Sequence, residues 1–233
     1  MISRFKRRIR RLVAQLRPSP YPIRPQVARA VLSLGGTNGY GQWTVCPDAL
    51  DEHSVVYSFG VGEDITFDLA IVEHFNLHLF AFDPTPRSIT FIECQPLPPR
   101  MRFHPWGIAD RDGTARFNPP ENPEHVSHTL LDRPSTSEHA IEVPVKRLAG
   151  IMGELGHDRV DILKMDIEGA EYDVIENIVT SGIWIGQILV EFHHRFPRRR
   201  PRATRRAIDR LNQAGYKIFN VSANREEFSF IKT

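Results

Sequence analysis

The stretch VVYSFGVGEDITFDLAIVEHF, Val55 to Phe75, constrains the fold more than any other part of the chain. Val55 to Phe59 has the length and apolar character of a strand buried on both faces, and Ile65, Leu69 and Val72 then recur at helical spacing. Gly60 and Gly62 lie between the two periods. A strand, a tight glycine turn and a helix start together make a nucleotide site. Glycine lets the backbone approach a ligand closely, and the free N–H groups of the helix that follows favour polar or negative ligand groups. An ordinary strand-to-helix turn is the competing reading, and the downstream sequence weighs against it. LHLFAFD is a second buried strand that ends in Asp83, about twenty residues after the glycines, where such folds place a carboxylate on ribose hydroxyls.

The chain has 233 residues and 41% hydrophobic content, enough for one domain with a sizeable core and a terminal extension. Its two cysteines, Cys46 and Cys94, lie far apart, so neither a disulfide framework nor a structural zinc site is indicated. No apolar run reaches the eighteen or so residues of a membrane span, and Met1 to Arg17 lacks the apolar core of a secretory signal. The expected location is cytoplasmic. Net charge is only +2, but the first acidic residue is Asp48. Residues 1–17 place Ile2, Phe5, Ile9, Leu12, Val13 and Leu16 on one helical stripe with arginines elsewhere. Such a basic amphipathic helix lies on an anionic membrane surface, serves as a transit peptide, or packs on the domain. Residues 18–25, PSPYPIRP, read as a stiff linker, and residues 26–233 as the catalytic domain.

Within that domain, Gln26 to Leu34 is expected to be a short helix ended by Gly35 and Gly36. GGTNGYGQW follows as a turn-rich loop or flap, before a short strand at Thr44 to Cys46. Strands are then expected at Leu77 to Phe82, Met101 to His104, Thr114 to Phe117, Ile141 to Val145, Val160 to Asp166 and Gln187 to Phe192. Helices are expected at Pro86 to Glu93, Lys146 to Leu155, Glu171 to Thr180 and Ala203 to Ala214. Alternation of this kind makes an α/β fold with a parallel sheet. Tyr216 to Val221 and Glu227 to Ile231 look like a closing antiparallel hairpin, which separates a class I methyltransferase from a dehydrogenase Rossmann domain. The polar run Asn118 to His139 reads as a loop over the acceptor site.

A second constellation joins KMDIEGAE to VEFHH. Asp166 and Glu168 sit two apart, as do Glu191 and His193, so on adjacent strands each pair projects to one side, at the carboxyl ends where open parallel sheets place their sites. A carboxylate beside His193 would make its ring a general base near neutral pH, as methyl transfer to a hydroxyl requires. Lys164 would balance the carboxylates; alternatively a divalent cation would bind among Asp166, Glu168, Glu191 and His193. A purely structural set, with the acids favouring a helix start and His193 bonded in the core, is the bland reading. In the glycine turn, Ile65 stands where a dinucleotide fingerprint needs its third glycine, which disfavours a pyrophosphate cofactor. Glu63 or Asp64 would then accept from an amino group, or would simply complement the helix dipole.

KMDIEGAEYDVI and VEFHHRF, with FGVGEDITFDLAI and FAFDPTPRS, resemble the FkbM-type S-adenosylmethionine-dependent methyltransferases over roughly Val55 to Phe196. The resemblance implies a class I methyltransferase fold: a seven-stranded, mostly parallel sheet with an antiparallel C-terminal strand and helices on both faces. It also implies S-adenosylmethionine as cofactor and O-methylation of a sugar or polyketide hydroxyl. By motif position it reaches Gly60, Gly62, Asp83, Lys164, Asp166, Glu168, Gly169, Glu171, Glu191 and His193. Two positions depart from the commoner form: Ser58 stands where an acid often opens the glycine motif, and Asp64 where a third glycine is usual.

The site expected from these readings has Gly60, Gly62, Glu63, Asp64, Asp83 and Asp166 toward the cofactor, and His193, Glu191, Asp166 and Lys164 toward catalysis. The acceptor expected is a saccharide, glycolipid or other small natural product. Asn118-Pro119-Pro120-Glu121 resembles an N-P-P-aromatic motif of nucleic-acid methylation, but Glu121 cannot stack on a base, so nucleic acid is disfavoured. Two rival functions stay open at this level. One is a nicotinamide-dependent oxidoreductase; the other is a non-catalytic module docking on anionic membrane through residues 1–17 and the arginines of RFPRRRPRATRR, Arg195 to Arg206.

Overall fold

The apolar runs divide residue by residue between two cores, as strands buried on both faces must. Tyr57, Phe59, Phe80, Phe82, Leu163, Met165, Ile188 and Val190 join one core, while Val56, Leu79, Ala81, Ile162 and Leu189 join the other. A computed structural model of the protein describes residues 23–36, 41–118, 140–194 and 201–233. The expected basic helix, most of the linker, the tip of the glycine flap, most of the polar run after Asn118 and Arg195 to Arg200 lie outside those residues. No described helix is long and apolar enough to cross a membrane.

Seven strands form the main sheet. They are β3 (Val55–Phe59), β4 (His78–Phe82), β5 (Met101–His104), β9 (Val160–Met165), β10 (Ile185–Glu191), β11 (Tyr216–Val221) and β12 (Glu227–Lys232), in spatial order β11-β12-β10-β9-β3-β4-β5. β5, β4, β3, β9 and β10 pair in parallel, and β12 enters antiparallel between β10 and β11. This is the class I methyltransferase arrangement, reversed strand included. From β3 the chain builds outward through β4 to β5 and then returns to β9 on the other side of β3. The strand order therefore reverses between β3 and β9, and open sheets bind ligands beside such a reversal.

Helices cover both faces. α1 (Thr66–Phe75) and α2 (Pro86–Glu93) bury Phe67, Ile71, Val72 and Ile92 in one core. α3 (Leu148–Leu155), α4 (Glu171–Ser181) and α5 (Pro201–Gln213) bury Ile151, Ile175, Ile178, Ile208 and Leu211 in the other. Each such side chain is worth roughly 1.5–3 kcal/mol of burial. α1 starts where Asp64 Oδ1 accepts the Thr66 N–H at 2.8 Å and stops at Asn76, a left-handed residue whose N–H donates to the Val72 carbonyl.

Two expectations are corrected. Gln26 to Leu34 is not a helix: Leu32–Leu34 (β1) pairs antiparallel with Trp43–Val45 (β2), and no regular element covers residues 26–31. The L-S-L alternation suits a strand, with Ser33 Oγ 2.9 Å from Thr44 Oγ1, and the Gln26 and Val27 N–H groups both donate to the Ile218 carbonyl of β11. Tertiary pairing overrides a weak local preference here. Nor do all strands join the parallel sheet. β8 (Ile141–Lys146) pairs in parallel with β6 (Gly107–Ile108) and antiparallel with β7 (Gly113–Phe117) in a separate three-stranded sheet. Two of these strands, β6 and β7, arise within one short span after β5.

Candidate active site

The glycine turn leaves β3 with Gly60 at φ +80° and Gly62 at φ +56°, conformations that L side chains rarely adopt. Gly60 faces a harder constraint as well. A Cβ there would stand 1.8 Å from the main-chain oxygen of Asp166, so the ends of β3 and β9 touch at the strand-order reversal with room for a hydrogen only. The Asp166 N–H donates to Phe59 O at 3.1 Å, closing the contact from the other side.

Asp83, buried at the end of β4, faces the turn from the next strand. Its Oδ2 accepts the Gly62 N–H at 3.0 Å, and its Oδ1 accepts the Thr85 N–H and hydroxyl at 2.9 and 2.7 Å. An ionised carboxylate has about four acceptor positions. Among the described residues three are used, which leaves one acceptor position. Glu63 and Asp64 have local partners instead. Glu63 takes Arg87 in a two-pronged ion pair at 2.9 and 2.8 Å, and Asp64 caps α1 with its Oδ2 against Gly41. Lys164, 4% exposed, donates to the carbonyls of Phe59 at 3.2 Å and Gly60 at 2.9 Å, with its Nζ 5.4 Å from the centroid of Trp43. It therefore braces the turn from within the core, while its charge still reaches Asp166.

Beyond the contact, the ends of β9 and β10 gather four carboxylates around one imidazole. His193 Nε2 lies 3.5 Å from Glu168, 3.7 Å from Asp166 and 3.9 Å from Glu191, and its Nδ1 lies 3.4 Å from Glu171. The expected pairs thus meet, although β9 ends one residue before Asp166 and β10 ends on Glu191. Glu168 reaches the ring from a left-handed backbone, φ +50°, followed by Gly169 at φ +100°. A non-glycine residue held there costs on the order of 1–3 kcal/mol and signals a constrained site.

Glu171 carries more of this site than the sequence reading assigned to it. Fully buried at the start of α4, it accepts the His193 N–H through Oε1 and the Gly169 N–H through Oε2, both at 2.8 Å. It ties the β9 and β10 loops together and turns the imidazole toward Asp166. The signal was present as the last acid of K-x-D-x-E-G-x-E, but an acid in a first helical turn also reads as a dipole partner.

Electrostatics bear directly on the role expected of His193. Burial alone would push its pKa down, but the Glu171 hydrogen bond and the charges of Glu168, Glu171 and Asp166 win and raise it well above the usual imidazole value. At neutral pH the ring therefore holds a proton instead of waiting for one. Burial raises Asp166, with His193 and Lys164 pulling it back; burial and the Asp166 charge raise Glu191 well above the carboxylate range. Among the described residues Asp166 Oδ1 has no hydrogen-bond partner, while a third of the side chain is exposed. Asp166, Glu191 and His193 also offer three ligand atoms within 4.8 Å of one another, a mixed oxygen and imidazole set that divalent cations accept.

Residues 54–218 match the methyltransferase FkbM domain model. The chain is 26% identical over 166 residues to a probable methyltransferase-like protein 24 of Homo sapiens and 27% identical over 144 residues to that of Rattus norvegicus. These alignments cover 66% and 61% of this chain but 39% and 33% of the relatives, so the chain spans well under half of their length. Among solved structures, it is similar to a Methanococcus jannaschii fibrillarin pre-rRNA processing protein, at TM-score 0.47 and 11% identity over 78% of this chain and 67% of that one. An Aeropyrum pernix fibrillarin with natively bound S-adenosyl-L-methionine gives TM-score 0.42 and 10% identity over 78% and 66%. With the model match running from the residue before β3 into β11, the chain belongs to the FkbM methyltransferase family.

Proposed function

We propose that this domain moves the methyl group of S-adenosylmethionine to a hydroxyl oxygen of a saccharide, glycolipid or other small natural product. The observation that carries the reading is the contact of Gly60 with Asp166, which sets a cofactor turn against a proton-handling cluster. Gly60, Gly62 and the remaining acceptor position of Asp83 would hold the donor, with the Asp83 carboxylate on ribose. The acceptor oxygen attacks the sulfonium methyl in line, the carbon–sulfur bond breaks, and S-adenosylhomocysteine leaves. The hydroxyl proton passes to Asp166, whose raised pKa makes it a better base than an ordinary carboxylate, while the imidazolium of His193 offsets the surrounding negative charge. A nicotinamide enzyme fits less well, because Ile65 replaces the third fingerprint glycine and β12 is reversed.

Calorimetry tests the donor half: S-adenosylhomocysteine binds the wild-type protein, and Asp83→Ala weakens it about tenfold or more, the worth of one hydrogen bond to a charged group. Absence of heat with either protein would count against the reading. Labelled methyl from S-adenosylmethionine, followed into a fractionated extract, tests the acceptor half. Label in glycan or lipid supports it; label in protein or nucleic acid replaces it.

A divalent cation at the same cluster is the second reading, favoured by the three converging ligand atoms. Asp166, Glu191 and His193 would hold it, and it would supply Lewis-acid polarisation of the acceptor oxygen. Methyl transfer that is unchanged by a chelator removes this reading.

A further inference from the structure

The chain from Asp83 into α2 carries a short run of buried hydroxyls that ends on the carboxylate facing the glycine turn. Asp83, Thr85 and Ser88 are 7%, 5% and 0% exposed. Thr85 Oγ1 lies 2.7 Å from Asp83 Oδ1 and 2.8 Å from Ser88 Oγ. A hydroxyl has one hydrogen and a carboxylate has none to give, so the Thr85 hydrogen goes to Asp83 and Ser88 supplies the one between the two hydroxyls. Thr85 is also the N-cap of α2, where a threonine hydroxyl ordinarily accepts an N–H of the first turn. Among the described residues it makes no such bond. The helix thereby forgoes its usual cap, and departures of this kind from a local rule gather at functional sites.

Resting on the donor-binding reading, we propose that Thr85 is a positioning residue: its hydroxyl, backed by Ser88, fixes the Asp83 carboxylate so that Oδ2 alone meets a ribose hydroxyl. The Thr85 N–H, which any residue but proline would supply there, already donates to Oδ1 at 2.9 Å. The hydroxyl is what threonine adds. It takes the second acceptor position of Oδ1, while the Gly62 N–H holds Oδ2 at 3.0 Å from the other side. Held at both oxygens, the carboxylate does not rotate about its own axis, and its remaining position lies beside the turn. Valine has nearly the shape of threonine but no hydrogen to give, so it leaves a second acceptor position on Oδ1 and divides the grip on ribose. Serine keeps the hydroxyl.

The test is calorimetry with S-adenosylhomocysteine, with thermal unfolding alongside, for wild type, T85V, T85S, D83A and T85V/D83A. T85V is expected to weaken binding about fivefold or more, in the coupling range of residues that share one hydrogen-bond network, and T85S to bind within about twofold of wild type. T85V/D83A is expected to bind like D83A, because a residue acting through Asp83 then has nothing to position. A residue that only supports the fold would weaken D83A by the same factor again. Additive losses in T85V/D83A therefore overturn the proposal, as does a T85S protein that melts like wild type yet binds as weakly as T85V. If D83A binds too weakly to measure, T85V against T85S decides. If T85V does not fold, T85A, which also lacks the hydroxyl and leaves more room, takes its place. Wild-type protein that fails to bind would overturn the donor reading and this proposal with it, whereas unaltered binding by T85V overturns this proposal alone.

Discussion

Replacing Glu171 by glutamine tests whether one buried carboxylate holds the β9 and β10 loops together. Glutamate accepts two N–H bonds of 2.8 Å, from Gly169 and His193. Glutamine keeps one oxygen and presents an NH2 group to the other N–H, so one charge-assisted bond is lost at about 1.5–3 kcal/mol and the survivor is downgraded by about 1 kcal/mol. Relief of repulsion against Asp166 works the other way. The hydrogen bonds should win, because they are short and lie where water does not reach. The hydrogen-bond loss of about 2.5–4 kcal/mol, before that relief is subtracted, corresponds to a Tm lower by at most about 5–16 °C for a chain of this size. The same change removes a hydrogen bond and a charge that raise the His193 pKa, so that pKa should fall. Circular dichroism melting and imidazole resonances followed through a pH titration give the two readouts. A glutamine variant that melts within about 1 °C of wild type would refute the reasoning, since it would mean the bonds contribute almost nothing net.

The two turn glycines should respond differently to alanine. Gly62→Ala meets nothing within 4 Å and bears only its positive φ, about 1–2 kcal/mol, whereas Gly60→Ala drives a Cβ into the Asp166 backbone and should abolish folding or donor binding; melting and calorimetry of both variants check this. Two classes of histidine should separate by NMR. Burial depresses His157, whose Nδ1 is 2.6 Å from the Tyr57 hydroxyl, and also His104, so their stabilising contribution is complete above about pH 6.5 and is lost as pH falls through their folded pKa values. His193 has the opposite sign: its contribution is complete below about pH 6.5 and is lost as pH rises through its raised pKa. His157 and His104 resonances titrating above that value, or a His193 resonance titrating below it, would contradict the assignment.

The strands were legible because burial on both faces writes a nearly continuous apolar run, as in Tyr57, Phe59, Phe80 and Phe82, and few other elements are so short and so apolar. The reversed β12 was legible from the hairpin pattern at the C-terminus. What composition and spacing did not reveal was partnership. Glu171 and Asp68 are both acids in first helical turns, a setting where dipole complementation explains an acid equally well, and only the fold shows one bonded to His193 and the other buried. The surroundings of His193 were only partly legible for a related reason. Spacing gave it three carboxylate neighbours, Asp166, Glu168 and Glu191, and the fold adds Glu171 as a fourth, which together hold its pKa well above the usual imidazole value. The expected helix from residue 26 was misread because the backbone partner of residues 26 and 27 comes from β11, nearly the whole chain away.

Asp166 is where the two halves of the site meet, and its main chain and side chain do separable jobs. Its N–H donates to Phe59 and its carbonyl abuts Gly60, so the donor turn depends on its backbone. Its carboxylate instead faces His193 at 3.7 Å and adds to the charge that raises Glu191. Asp166→Asn should therefore leave S-adenosylhomocysteine affinity within about threefold while lowering methyl transfer by about 10²–10⁴, the range of a general base. Its melting temperature should hold or rise, because the variant removes one of several like charges that burial and mutual repulsion disfavour. A structural role alone predicts the reverse, a less stable protein that still turns over in proportion to its folded fraction. Loss of donor binding in step with activity would place the carboxylate on the cofactor and leave the proton without its proposed destination.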